Sequence, residues 1–182
     1  MKSGLYFIAL VPNREIREQV KKLKEAFRTD YGAGHALKSP AHITLQMPFK
    51  RNEDREKLLI ESLAEFASYQ RGFTIDLDGF GCFEPRVIYL KVTGDKPIQK
   101  LHRDLKAMLV ENVGFTPDEL ATKIHPHVTL ATRDLSETTF YTAWPAYENR
   151  KFEATFPVSS IFLLKHNGKS WDIFREFPFK PS

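Results

Sequence analysis

A single cysteine, Cys82, among 182 residues excludes an internal disulfide and any cysteine-built zinc site. One thiol fits a reducing compartment. Its place between Gly81 and Phe83, in an apolar strand pattern, reads as a small buried hydrophobe rather than a nucleophile. Long hydrophobic runs are also missing: no stretch approaches the roughly 18 apolar residues that span a bilayer, so no membrane partner is expected. Leu5–Val11 is apolar and follows Lys2, but it is short, meets Pro12 and a charged segment, and has no small-residue cleavage site. It reads as a first strand and not as a signal peptide. An excess of one charge is lacking too, since 27 Lys and Arg stand against 23 Asp and Glu, a net +4. That is compatible with a phosphate-bearing partner and with much else. Between Arg14 and Arg28, six basic residues alternate with Glu15, Glu18 and Glu25, which reads first as a solvated helix face.

What is present is a core. Hydrophobic residues make up 42% of the chain and 15 of them are Phe, enough for one domain over residues 1–182. Ile16, Val20, Leu23 and Phe27 form one stripe of an amphipathic helix. A second helix is expected over 54–69. A third runs from an N-cap at Asp95, through Pro97, to Gly114, and a fourth spans Ser136–Tyr147, with Pro145 ending or kinking it. Thr116-Pro117-Asp118-Glu119 has the pattern of a capping box. Phe73, Ile75 and Leu77 alternate with polar residues, a half-buried strand whose glycines at 79 and 81 predict a bulge or a close backbone approach. Val87–Val92 returns it. Phe152–Val158, Ile161–Lys165 and Trp171–Phe179 complete the strands, the last two joined at Asn167-Gly168.

One tetrapeptide occurs twice. Residues 42–45 read His-Ile-Thr-Leu and residues 127–130 read His-Val-Thr-Leu, each on an expected strand, with Pro40 and Pro126 just before. Successive side chains on a strand point to opposite faces, so His42 pairs with Thr44 and His127 with Thr129. The surrounding order is strand, helix, motif strand, helix, hairpin, then helix, motif strand, helix, hairpin. The second half lacks a leading strand unless Val87–Val92 serves. This describes a duplicated α+β body with two pseudo-symmetric lobes. If the motif strands face each other, the two His-Thr faces line one groove. Histidine gives and takes protons near neutrality, so two of them across a phosphate supply a general base and a general acid. A threonine hydroxyl can donate to a non-bridging phosphate oxygen. No metal or cofactor is required by this chemistry.

The two motifs resemble the paired signature of the 2H phosphoesterase superfamily, which includes 2′-5′ RNA ligase-like proteins and 2′,3′-cyclic nucleotide phosphodiesterases. Phe80–Val92, with Phe83, Pro85, Arg86 and Val87, is similar to a segment between the motifs of RNA ligase-like members. The resemblance implies a bilobal fold in which the motif strands, on two antiparallel sheets, line a central cleft, with metal-independent catalysis by His42, Thr44, His127 and Thr129. It implies as substrate an RNA or nucleotide with a cyclic phosphate or a 2′-5′ linkage. By analogy, His127 activates water while His42 protonates the leaving oxygen, with the reverse assignment open. The first motif continues Gln46-Met47-Pro48-Phe49 and the second Ala131-Thr132-Arg133, departures that bear on substrate and on ligase activity. A monomer of the cytoplasm is expected. Reversible 2′-5′ RNA ligation and non-catalytic RNA binding are the competing readings.

Supporting residues follow from position. Arg133 shares parity with His127 and Thr129 and is a phosphate candidate at the groove rim. Arg86, in the turn before Val87, is a candidate for a nucleic-acid backbone, and Lys38 is a phosphate candidate in the loop before the first motif. Tyr6 and Phe80 are candidates to stack a base, with core packing as the competing fate. A zinc site from His42, His125 and His127 is the alternative that leaves the threonines unexplained. His35, His102 and His166 belong to no constellation and are expected at the surface.

Overall fold

The computed structural model describes residues 2–182. The chain alternates strands and helices: β1 (Ser3–Leu10), α1 (Arg14–Tyr31), β2 (Ile43–Asn52), α2 (Glu53–Ser68), β3 (Phe73–Phe83), β4 (Val87–Thr93), α3 (Lys96–Met108), β5 (His127–Ala131), α4 (Glu137–Tyr147), β6 (Glu153–Val158), β7 (Ser160–His166) and β8 (Trp171–Pro178). Short helical turns lie at His35–Lys38 and Pro117–Glu119. The latter carries the capping box expected at Thr116 and Glu119. α1 begins at Asn13, whose side chain accepts from the Ile16 amide, and stops at Gly32 with φ +69°. Pro145 lies in the last turn of α4, which runs only two residues beyond it.

The eight strands form two antiparallel sheets, ordered β2-β1-β7-β8 and β5-β4-β3-β6. β4 is the leading strand the second half needed: it pairs with β5 as β1 pairs with β2, Ala9 opposite Thr44 and Tyr89 opposite Thr129. The halves trade their remaining strands. β3, from the first half, joins the second sheet, while the β7–β8 hairpin closes the first. Both motif strands are therefore edge strands.

Each sheet turns one face to helices. Phe27 of α1 stacks on Tyr147 of α4, with ring centroids 4.4 Å apart, and Phe80 of β3 meets Tyr147 edge-on at 5.3 Å. Beside the first sheet, Phe49 of β2 meets Phe115, just after α3, edge-on at 4.9 Å. One continuous apolar core joins Tyr6, Ile8, Ile43 and Leu45 to Leu77, Leu90, Val128 and Leu130. The other face of the first sheet carries a separate small cluster of Phe7, Ala9 and Leu164, with Phe162 and Trp171 beside it. The bulge expected near the glycines lies between Leu77 and Phe80, where Gly79 has φ +72°. No helix among the described residues is long and apolar enough to cross a membrane.

Candidate active site

The two motifs present their side chains as strand parity requires. Ile43, Leu45, Val128 and Leu130 are fully buried in the core, while His42, Thr44, His127 and Thr129 are half-buried on the opposite faces. His42 lies one residue ahead of β2 and His127 opens β5. His42 Nδ1 is 2.7 Å from the carbonyl of Pro40, and His127 Nδ1 is 2.6 Å from the carbonyl of His125. A carbonyl oxygen only accepts, so each ring, when neutral, carries its proton on Nδ1 and leaves Nε2 free to take or give a second one. The same i to i−2 bond thus fixes the same tautomer in both motifs.

Aromatic walls hold the imidazoles. Phe7 lies 4.8 Å from the His42 ring and is braced edge-on by Trp171 at 4.6 Å. Phe83 and Tyr89 each lie 5.0 Å from the His127 ring. Tyr89 reaches across a gap that only glycine leaves, since a Cβ at Gly81 would come within 2.5 Å of its ring. A cavity of about 200 Å³ is lined by His42, Thr44 and Thr129 together with His35, Lys38 and Arg133. The lobes are tied at this rim: Asp134 Oδ2 accepts from the amides of Gly34 and His35, at 3.0 and 2.9 Å.

Burial governs the electrostatics. It pushes the His42 imidazole down to about 4, with the nearby charges of Lys24 and His127 adding to the effect and the Pro40 carbonyl opposing it. His127 is lowered by burial as well, against the pull of the His125 carbonyl. His35 is lowered by burial and by Lys38 and Arg133. Lys24 is only 3% exposed, and burial lowers it to about 8. Its ammonium donates to the carbonyls of Ala36 and Ser39, both at 3.0 Å, and so pins the segment that leads into His42.

The other sequence candidates divide. Lys38 and Arg133 line the cavity beside His42, Thr44 and Thr129, while His127 stands outside that lining, and Arg133 takes φ +57° as the chain leaves β5. Arg86 is exposed at the tip of the β3–β4 hairpin and does not line that cavity. Tyr6 and Phe80 are corrected: at 0% and 4% exposure, both lie in the helix-facing core. Tyr6 donates its hydroxyl to Glu56, and burial with that carboxylate raises it to about 12. Neither ring can meet a base in the cleft. His102 is also corrected, being 3% exposed on α3, and His35 lines the cavity rather than standing apart. Among the described residues no three His, Cys, Asp or Glu side chains cluster as metal ligands. Sequence reasoning missed Phe7, Phe83, Tyr89, Trp171 and Asp134. Phe7, Phe83 and Tyr89 sit in apolar strand patterns that look like any core, Trp171 stands among polar residues at the start of a mostly exposed strand, and Asp134 acts across lobes distant in sequence.

Known proteins share this architecture. A protein of Geobacillus sp. strain WCH70 that carries a provisional phosphoesterase name is 27% identical over 176 residues, covering 94% of each chain. A similarly named protein of Bacillus pumilus is 28% identical over 94% of this chain and 95% of its own. Among solved structures, TT0787 of Thermus thermophilus matches with TM-score 0.70 and 21% identity over 98% of this chain and 99% of its own. LigT of E. coli in its apo form matches with TM-score 0.70 and 21% identity over the whole of both chains. LigT complexed with 3′-AMP matches with TM-score 0.66, 20% identity, and 99% and 100% of the two chains. The profile of the 2'-5' RNA ligase superfamily covers residues 12–170, both motifs included, and the chain belongs to that family of 2H phosphoesterases.

Proposed function

We propose that the protein is a phosphoesterase that opens 2′,3′-cyclic phosphates on RNA ends or nucleotides, by proton transfer between two histidines. The carrying observation is the matched tautomer: both Nδ1 atoms are committed to carbonyls two residues back, which reserves both Nε2 atoms for proton exchange. The phosphoesterase names of the relatives and the 3′-AMP bound by LigT support a nucleotide phosphate as the reacting group.

In this reading one imidazole is neutral and the other protonated. His42 is held down to about 4 and His127 is lowered as well, so when the pair carries one proton, His127 is its favoured site. That favours His42 as base and His127 as acid, the reverse of the assignment suggested by analogy. His42 Nε2 takes a proton from water as the oxygen attacks phosphorus. The bond from phosphorus to one ribose oxygen breaks, and His127 Nε2 returns a proton to that oxygen. Thr44 and Thr129 donate hydroxyl hydrogens to the non-bridging oxygens, and Lys38 and Arg133 offset their charge at the rim.

The test is hydrolysis of 2′,3′-cyclic nucleotides and cyclic-ended RNA in the presence of EDTA, with His42→Ala and His127→Ala proteins alongside. Turnover by the native protein and a loss of about 10²–10⁴-fold in each variant is expected. Full activity in either variant would overturn the reading. Joining of cyclic-ended to 5′-hydroxyl RNA by the same groups run backwards would assign the ligase instead, and salt-sensitive RNA binding without turnover would reduce the protein to a binding module.

A further inference from the structure

Next to the candidate active site lies a second cavity, of about 420 Å³, walled by the N-terminal half of α1 and the segment that leads into His42. Lys38, Ser39 and Trp171 line both cavities, so the two are neighbours across a shared wall. The lining of the second is unbalanced in charge: Arg14, Arg17, Lys21, Lys24 and Lys38 face a single acid, Glu18. Glu18 is occupied by Arg14 in an exposed i, i+4 pair at 2.9 Å, and Lys24 by two carbonyls. Lys21 and Arg17 have no acidic partner among the described residues. Arg17 stands between this cavity and another on its far side, and its Nε is buried without any hydrogen-bond partner, the one such buried side-chain atom among the described residues. A desolvated guanidinium donor left unmet is costly, and a guanidinium on the cavity wall is well matched to phosphate oxygens. The alternating charges of this helix read from sequence as a solvated face; in the fold, four of its six basic residues, Arg14, Arg17, Lys21 and Lys24, line one concavity.

We infer that this groove is a second phosphate subsite, which takes a phosphate of the same substrate one linkage away from the reacting one, with Trp171 as the apolar divider between them. The inference rests on the proposed reading of the neighbouring cleft. The chemistry it recognises is a phosphodiester or pyrophosphate attached to a nucleoside whose cyclic phosphate occupies the His-Thr cleft. The preceding phosphate of an RNA strand and the 5′-pyrophosphate of a nucleotide both meet that description, and the test separates them.

Three substrates are compared: a nucleoside 2′,3′-cyclic phosphate, a dinucleotide ending in the same cyclic phosphate, and the first compound with a 5′-diphosphate added. The readout is the ratio of kcat/KM for each longer substrate to that for the shortest, in the native protein and in Arg14→Ala/Lys21→Ala. Both substituted side chains are exposed, and a thermal melt checks that the fold is kept; Lys21→Gln alone replaces the double variant if it is not. The expected result is a ratio above one in the native protein, about five- to tenfold, that falls toward one in the variant and with added salt. A gain for the dinucleotide alone identifies a strand phosphate, and for the diphosphate alone a nucleotide pyrophosphate. Equal kcat/KM values for all three in the native protein, or a ratio untouched by the substitutions, would overturn the inference. If no substrate is turned over, the reading of the cleft fails first. The groove is then tested by binding of adenosine 3′-phosphate against adenosine 3′,5′-bisphosphate, where equal affinities in the native protein would overturn it.

Discussion

The depression of the His42 titration has a consequence for stability that can be measured without any substrate. His42 has an ordinary value of 6.5 in an unfolded chain and about 4 in the fold. Between these values the unfolded state binds more protons, so stability is intact above 6.5, falls as the pH falls toward 4, and levels off below it. From about pH 7 to about pH 4.5 the linkage relation gives a loss of about 2.5 kcal/mol, or about 2 kcal/mol after allowing for solvent at the ring's exposed edge. His42→Asn removes the titration while leaving an amide that can donate to the Pro40 carbonyl in place of Nδ1. Urea denaturation of both proteins at the two pH values isolates the effect, because other acid-sensitive groups, such as the Arg51-paired Glu119, appear in both and cancel. The variant should lose about 2 kcal/mol less than the native protein over this interval. Equal losses would refute the argument that burial holds His42 neutral.

The same shifts set the pH profile of the proposed reaction: kcat/KM should be bell-shaped, with its acid limb near 4 and its alkaline limb below 6.5, and an optimum above neutrality would contradict the base and acid roles. Gly81→Ala places a methyl within 2.5 Å of the Tyr89 ring that flanks His127, so a stability loss of about 1–3 kcal/mol by urea melt and a drop in turnover are expected, and a silent substitution would show that Tyr89 does not hold the imidazole. Lys24→Met strips the carbonyls of Ala36 and Ser39 of a shared donor. It should cost about 1–3 kcal/mol and speed amide exchange around 35–40, which hydrogen–deuterium exchange reads directly.

The site was readable in the sequence where a short-range rule applied. Strand parity alone placed His42 with Thr44 and His127 with Thr129, because each motif has apolar residues at the alternate positions to anchor the register. Parity said nothing about Tyr6, because β1 is buried on both faces from Tyr6 to Leu10 and a continuous apolar run does not mark its two sides. The core-facing side took Tyr6, and the cleft side took Phe7. Phe80 was hidden in the same way, beyond the bulge at Gly79 that shifts the alternation. The trade of strands between sheets had no local signal at all, since the partner of β1 lies near the other end of the chain. The basic face of α1 was visible as composition, but its concavity depends on Trp171 and the 37–41 segment being folded against it.

That trade of strands also governs how the protein reaches its native state. Phe7, which backs His42, pairs with Leu164, and Trp171, which braces Phe7, lies farther along still. The first sheet cannot close until almost the whole chain is available, and such sequence-distant pairing slows folding relative to topologies built from local contacts. During synthesis the first motif therefore emerges long before the hairpin that completes its wall. Nascent chains that end before β7 carry both histidine motifs but lack Leu164, which pairs with Phe7, and Trp171, which braces it, so the wall behind His42 is completed only by the end of the chain.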